Sequence, residues 1–202
     1  MSKKILELLE ARFPGAILET HSQFGDDTAV VDTAVWREVS RFLRDDPRID
    51  MDMFVDLTAV DYLWQGAYPR FEVVLHLRSL SKGHRIRVKA RVGDEDGSNA
   101  EIDSVVSVWS GANWFERECF DMFGITFKGH PDLRRILMYP EFQGHPLRKD
   151  YPANQYQPLV PFRDVPDKLP PFGPDEGMSF GRQIHDQHGG DPIEGALPPA
   201  EA

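Results

Sequence analysis

Residues 70–92, RFEVVLHLRSLSKGHRIRVKARV, decide the fold. Phe71, Val73, Leu75 and Leu77 alternate with Arg70, Glu72, His76 and Arg78. After the break Ser79–Gly83, Ile86, Val88, Ala90 and Val92 alternate with Arg85, Arg87, Lys89 and Arg91. Side chains two apart on a strand share a face, so this period places one apolar row from each strand on a common side. The short polar link makes the pair an antiparallel hairpin. Its second face is then wet, or polar against a partner.

Working outward from the hairpin, Met51–Asp61 is rich in strand formers, and shorter extended runs fall at Ala16–Thr20 and Thr28–Val31. Ile5, Leu6, Leu8, Leu9 and Phe13 recur at helical spacing before Pro14-Gly15 stops the helix. Asp32 or Thr33 caps a second helix carrying Val35, Trp36, Val39, Phe42 and Leu43, which Asp45-Asp46-Pro47 ends. Asp103–Trp109 and Asn113–Phe123 are two further helix candidates, the second with Phe115, Cys119, Met122 and Phe123 on one face. Asp94-Glu95-Asp96-Gly97 reads as a turn. A calcium loop in that register would put its first ligand on Val92 and its bidentate glutamate on Asp103.

These elements predict an α+β fold: a two-layer domain over residues 1–129, with helices packed on a mixed, largely antiparallel sheet. Residues 130–202 form an extended Pro-rich C-terminal arm, because 13 of the 16 prolines lie from Pro131 onward with few periodic apolar positions. Tyr139, Phe142, Tyr151, Tyr156, Phe162, Phe172 and Phe180 stud that arm. Such aromatics suit a segment that wraps a partner.

Of the 202 residues, 33 are acidic and 23 basic, giving a net charge of −10, which argues against tracking nucleic acid or an anionic membrane by charge. The single cysteine, Cys119, supplies neither an intrachain disulfide nor the thiolates of an iron–sulfur cluster. No apolar run reaches the roughly 18 residues of a spanning helix, so membrane association would be indirect. Loops of the P-loop and G-x-G-x-x-G types are missing from the sequence.

Glu116, Glu118 and Asp121 crowd one short helix, where carboxylates can act as acid and base or bind metal. Asp121 stands where a di-iron Glu-x-x-His motif needs histidine. Arg117, Arg134 and Arg135 are close enough in sequence to neutralise the three acids, so a structural or interface ion network is favoured over catalysis. His130 and His145 sit in two similar segments, GHPDLRR and GHPLRKD. They mark a polar contact surface or simply two like turns. His185 and His188 have metal-like spacing, but no cysteine accompanies them and zinc is not favoured. Cys119, on the apolar helix face, is a core residue.

The stretch around these residues resembles the C-subunit family of bacterial NADH:quinone oxidoreductase, respiratory complex I. Glu116-Arg117-Glu118, Asp121, Met122-Phe123, His130 and Arg134 fill that family's signature in order and spacing. Asp56–Tyr62, Arg70–Ser81, Trp109–Trp114 and Gly144–Pro152 extend the likeness over about residues 1–152, and it departs after Tyr156. The resemblance implies a non-catalytic subunit with no cofactor or metal of its own. Glu116, Arg117, Glu118, Asp121, His130, Arg134, Arg135, His145 and Arg148 would serve structure and interface. FMN, iron–sulfur clusters and quinone would belong to partners, above all the quinone-site and cluster-bearing subunits. It also implies a peripheral position on the cytoplasmic side of the bacterial inner membrane. An equivalent subunit of a membrane-bound hydrogenase or other-donor dehydrogenase is the alternative. A free-standing hydrolase using Glu116, Glu118 or Asp121 is the third.

Overall fold

In a computed structural model of the protein, residues 3–160 are described. Helix α1 (Lys3–Arg12) leads to strands β1 (Ile17–Gln23) and β2 (Asp26–Val31), then α2 (Trp36–Asp45) and β3 (Met53–Asp61). The hairpin β4 (Phe71–Arg78) and β5 (Arg85–Val92) follows, then β6 (Glu101–Asp103), α3 (Ala112–Phe123) and β7 (Thr126–Lys128). Helices cover a five-stranded sheet of order β1-β2-β5-β4-β3. The α+β expectation holds.

The hairpin reads as its period demands. Phe71 lies opposite Val92, Leu75 opposite Val88, and Leu77 opposite Ile86, so both apolar rows fall on the same side. β2 joins the other edge of β5 in parallel, Ala29 against Val88, and this one junction makes the sheet mixed. Asp32 caps the turn that enters α2, its carboxylate accepting from the Ala34 N–H at 2.9 Å. Trp36, Val39 and Leu43 on α2 and Leu9 on α1 are fully buried against the sheet. Each contributes roughly 1.5–3 kcal/mol by leaving water.

β6 and β7 form a second, two-stranded parallel sheet, Ile102 beside Phe127. Parallel neighbours need a crossover, and α3 is that crossover. Arg37 on α2 ties this unit to the rest, donating to the carbonyls of Ser104 and Lys128, both at 3.1 Å.

Two sequence expectations change. Asp103–Trp109 is not a helix: Asp103 ends β6, and the following residues form a turn. Val105, Val108 and Trp109 are buried in the core cluster, so tertiary packing overrides their helical spacing. The second face of the hairpin is not simply wet, because Arg70, Glu72 and Val74 are buried there. Glu72 receives Lys89 at 2.7 Å, Arg91 at 3.5 Å and the Tyr62 hydroxyl at 3.2 Å, so the strands neutralise their own charges. The compact unit runs to Pro158. The stretch after Gly129 is fastened by hydrogen bonds to α3 and the sheet, which a proline count cannot register.

Candidate functional site

Helix α3 carries the acidic–basic signature, and its position is fixed from the apolar side. Ala112, Cys119, Met122 and Phe123 are buried, and the Cys119 thiol donates to the Leu57 carbonyl of β3 at 3.8 Å. Burial pushes the Cys119 thiol well above its ordinary value, which suits a core residue rather than a nucleophile. Gly124 closes the helix at φ 78°, and its own N–H reaches the Phe120 carbonyl. A Cβ there would lie 2.6 Å from both Arg148 Nη2 and His145 Nε2, so only glycine fits.

The three acids of α3 meet three different environments. Asp121 is fully buried, and its Oδ2 accepts the backbone N–H groups of Ile136, Leu137 and Met138 at 2.8–3.0 Å. Arg135 Nη1 meets its Oδ1 at 2.6 Å, while Nη2 donates to the Gly144 carbonyl at 3.0 Å. Burial alone would raise the Asp121 carboxyl. Met138, Arg135, Leu137 and Ile136 together outweigh it and hold the carboxyl below the usual range. Glu116, also shielded from solvent, accepts the Val105 N–H at 2.7 Å, and its Oε2 has no hydrogen-bond partner. Burial pushes it up to about 7, with Ser104, the Val105 N–H and Arg37 offsetting part of the rise. Glu118 is exposed.

The arginines divide in the same way. Only Arg135 pairs with a helix carboxylate; Arg134 is exposed and meets Asp132 at 3.0 Å. Arg117 donates to the carbonyls of Arg134 and Arg135 at 3.2 and 3.3 Å and stacks over Trp114. The expected network is therefore one buried ion pair plus guanidinium-to-carbonyl bonds, because the loop presents its backbone to the helix.

The two Gly-His-Pro segments clamp the ends of α3. At the first end, His130 Nδ1 accepts the Asp132 N–H at 3.0 Å, so Nε2 carries the proton that faces the Asn113 carbonyl at 3.3 Å. At the second, His145 Nδ1 donates to the Asp121 carbonyl at 3.0 Å. Burial holds the His145 imidazole below its ordinary value, against the opposing pull of that carbonyl and with help from Arg148 and Arg135. Arg148 Nε donates to the Phe123 carbonyl at 2.6 Å, and its guanidinium lies over the Phe71 ring.

A second cluster lies outside every residue singled out as a site candidate from sequence. Arg70 is buried and donates to Asp61 at 2.9 and 2.7 Å and to Asp150 at 3.2 and 2.7 Å. Asp61 also accepts the N–H groups of Leu63 and Lys149. Burial opposes its charge, but Arg70 and those two amides outweigh burial and keep the carboxyl low. The signal was present in the register: Asp61 ends β3 opposite Phe71, which brings the neighbouring Arg70 within reach.

Among the described residues no group of three or more His, Cys, Asp or Glu side chains is placed to hold a metal ion. His185 and His188 lie outside the described residues. No helix among those described is long and apolar enough to cross a membrane.

The fold and the signature helix define the class. Residues 29–157 match the family described as respiratory-chain NADH dehydrogenase, 30 Kd subunit, and the chain belongs to that family. Among its relatives is the NADH-quinone oxidoreductase C subunit of Burkholderia cenocepacia (strain HI2424), 43% identical over 163 residues. That match spans 77% of this chain and 80% of the relative. The corresponding C subunit of Rhodopseudomonas palustris (strain TIE-1) is 48% identical over 143 residues, 71% of this chain and 67% of the relative. A chain from the structure of the membrane-bound sulfane sulfur reductase, an archaeal respiratory membrane complex, superposes with a TM-score of 0.63. The two are 25% identical, over 83% of this chain and 98% of that one.

Proposed function

We propose that the chain is a non-catalytic structural subunit in the peripheral arm of a proton-translocating NADH:quinone oxidoreductase. The observation that carries the reading is the family match over residues 29–157, read beside what the signature acids do. Asp121 is occupied in holding the 135–138 loop, and Glu116 a neighbouring turn. Such commitment suits a scaffold better than an acid–base pair. FMN, iron–sulfur clusters and quinone would then reside in partner subunits, and electrons would pass from NADH to quinone there.

The docking face would be the surface that the loop builds on α3. Trp114, Leu137 and Leu147 are 62%, 58% and 49% exposed, and both leucines are tethered by backbone hydrogen bonds to Asp121 or Met122. Large apolar groups held by a fixed backbone are what an interface core requires. Glu118 and Arg134 would form its polar rim. The quinone-site and cluster-bearing subunits are the partners this reading favours, on the cytoplasmic side of the membrane.

The test is recovery of the tagged full chain from detergent-solubilised membranes. Co-purification with flavin- and cluster-containing subunits and NADH:quinone activity is expected; recovery as a free monomer would overturn the reading. The likeness to the sulfane sulfur reductase chain favours, as a second reading, a related complex with another electron donor. Deleting the chain separates the two, since loss of NADH-driven quinone reduction is expected only for the first.

A further inference from the structure

The β1–β2 hairpin carries an unused aromatic at its tip. Gln23 pairs with Asp26, leaving Phe24 and Gly25 as a two-residue turn with φ of 55° and 81°. Two consecutive positive φ values define the type I′ geometry, whose first position favours Asn, Asp or Gly. Phenylalanine there is an outlier, since its bulk disfavours the left-handed region. Its ring is also fully exposed, at 101% of the reference area. Neither the backbone nor the burial of this residue serves the chain's own fold. The hairpin beneath it is firmly built: the Ser22 hydroxyl bonds the buried Asp27 carboxylate, and Arg85 and Arg87 of β5 hold Asp26.

Resting on the reading of the chain as a subunit of a respiratory complex, we propose that Phe24 is an aromatic anchor that seats in an apolar pocket of a neighbouring protein subunit. Aromatic side chains presented on rigid elements bury large area with little entropy lost, which is why they dominate interface energetics. A protein pocket is favoured over a lipid surface by charge. The tip sequence Ser22-Gln23-Phe24-Gly25-Asp26-Asp27 has no lysine or arginine, and the neighbouring Arg85 and Arg87 are committed to Asp26, so no free cation is there to attract an anionic bilayer. This site lies on a different element from the α3 face and would be a second point of attachment.

Replacing Phe24 by asparagine separates an anchor from a tolerated misfit. In the isolated full chain Phe24→Asn supplies the residue the turn prefers, and its melting temperature is expected to rise by about 2–4 °C. In cells lacking the native copy, the same variant is expected to lower the amount of chain recovered in the intact complex at least fivefold, with Phe24→Trp retaining it. Equal incorporation of the Phe24→Asn variant and the wild-type chain would overturn the anchor while leaving the scaffold reading intact. Failure of the wild-type chain itself to enter a complex would overturn both. A photo-crosslinking phenylalanine analogue at position 24 of the purified complex should label one other protein subunit; labelling of lipid or of a second copy of this chain would overturn the proposal.

Discussion

Glu116 and Asp121 are solvent-shielded carboxylates five residues apart on one helix, yet their carboxyl groups are shifted in opposite directions. Asp121 faces three backbone N–H groups and a guanidinium, so its charge is worth more inside the fold than in water. Glu116 faces one N–H and keeps an oxygen without a partner. Neither is exposed to solvent, but Glu116 lies deeper in the protein than Asp121. Depth, the number of donors and the facing Arg135 cation together set how readily each buried acid keeps its proton. The loop supplies four donors because it folds back over the end of the helix, whereas the turn after β6 supplies one.

The sharpest way to break this comparison is to remove the donors' target. Asp121→Ala should destabilise the chain by about 3–5 kcal/mol, because it strands Arg135 and three amides together. Denaturant unfolding would measure it, and a loss below about 1 kcal/mol would mean the loop does not depend on the carboxylate. Arg70→Met offers a parallel case, with a loss of about 3–5 kcal/mol expected from leaving Asp61 buried without its cation.

Next in size is the pH response. Glu116 has a folded value above its ordinary one, so its contribution to stability is fully present below about 4.5 and is lost as pH rises through about 7. Asp121 and Asp61 have depressed values, so theirs is present above the ordinary aspartate value and lost as pH falls through the folded one. Glu116→Gln should therefore match the wild type near pH 4 and exceed it near pH 8 by about 3 kcal/mol. Parallel stability curves across that window would contradict the assignment.

Smaller again, Gly124→Ala should cost about 1–3 kcal/mol through positive φ and crowding against Arg148 and His145, read as a lowered melting temperature. Smallest is Glu118→Ala, expected within about 0.5 kcal/mol in the isolated chain. A fall in complex recovery without a fall in stability would then mark Glu118 as an interface group.

The same contrast explains what could be read in advance. The hairpin Phe71–Val92, helix α2 and the buried face of α3 follow from local periodicity, and each is where that periodicity puts it. The crossover role of α3 and the turn at Ser104–Ser110 do not, since both depend on β6 and β7, three residues each, too short to show a period. The α3 acids stood out as a group, but their separate fates depend on which loop atoms arrive opposite them. Arg70 looked like a member of a solvated row. One of its two carboxylate partners is Asp150, eighty residues further along, a distance over which no pattern in sequence speaks.

That span of eighty residues has a temporal consequence. Arg70 and Asp61 leave the ribosome together, and at about 5–20 residues per second Asp150 follows roughly 4–16 s later. Until then the guanidinium has half its carboxylate partners, and the loop that cradles Asp121 is made only about a dozen residues before Asp150. The α3 face that would meet other subunits is thus completed after the sheet it rests on, so a nascent chain cannot offer that face before the sheet is made.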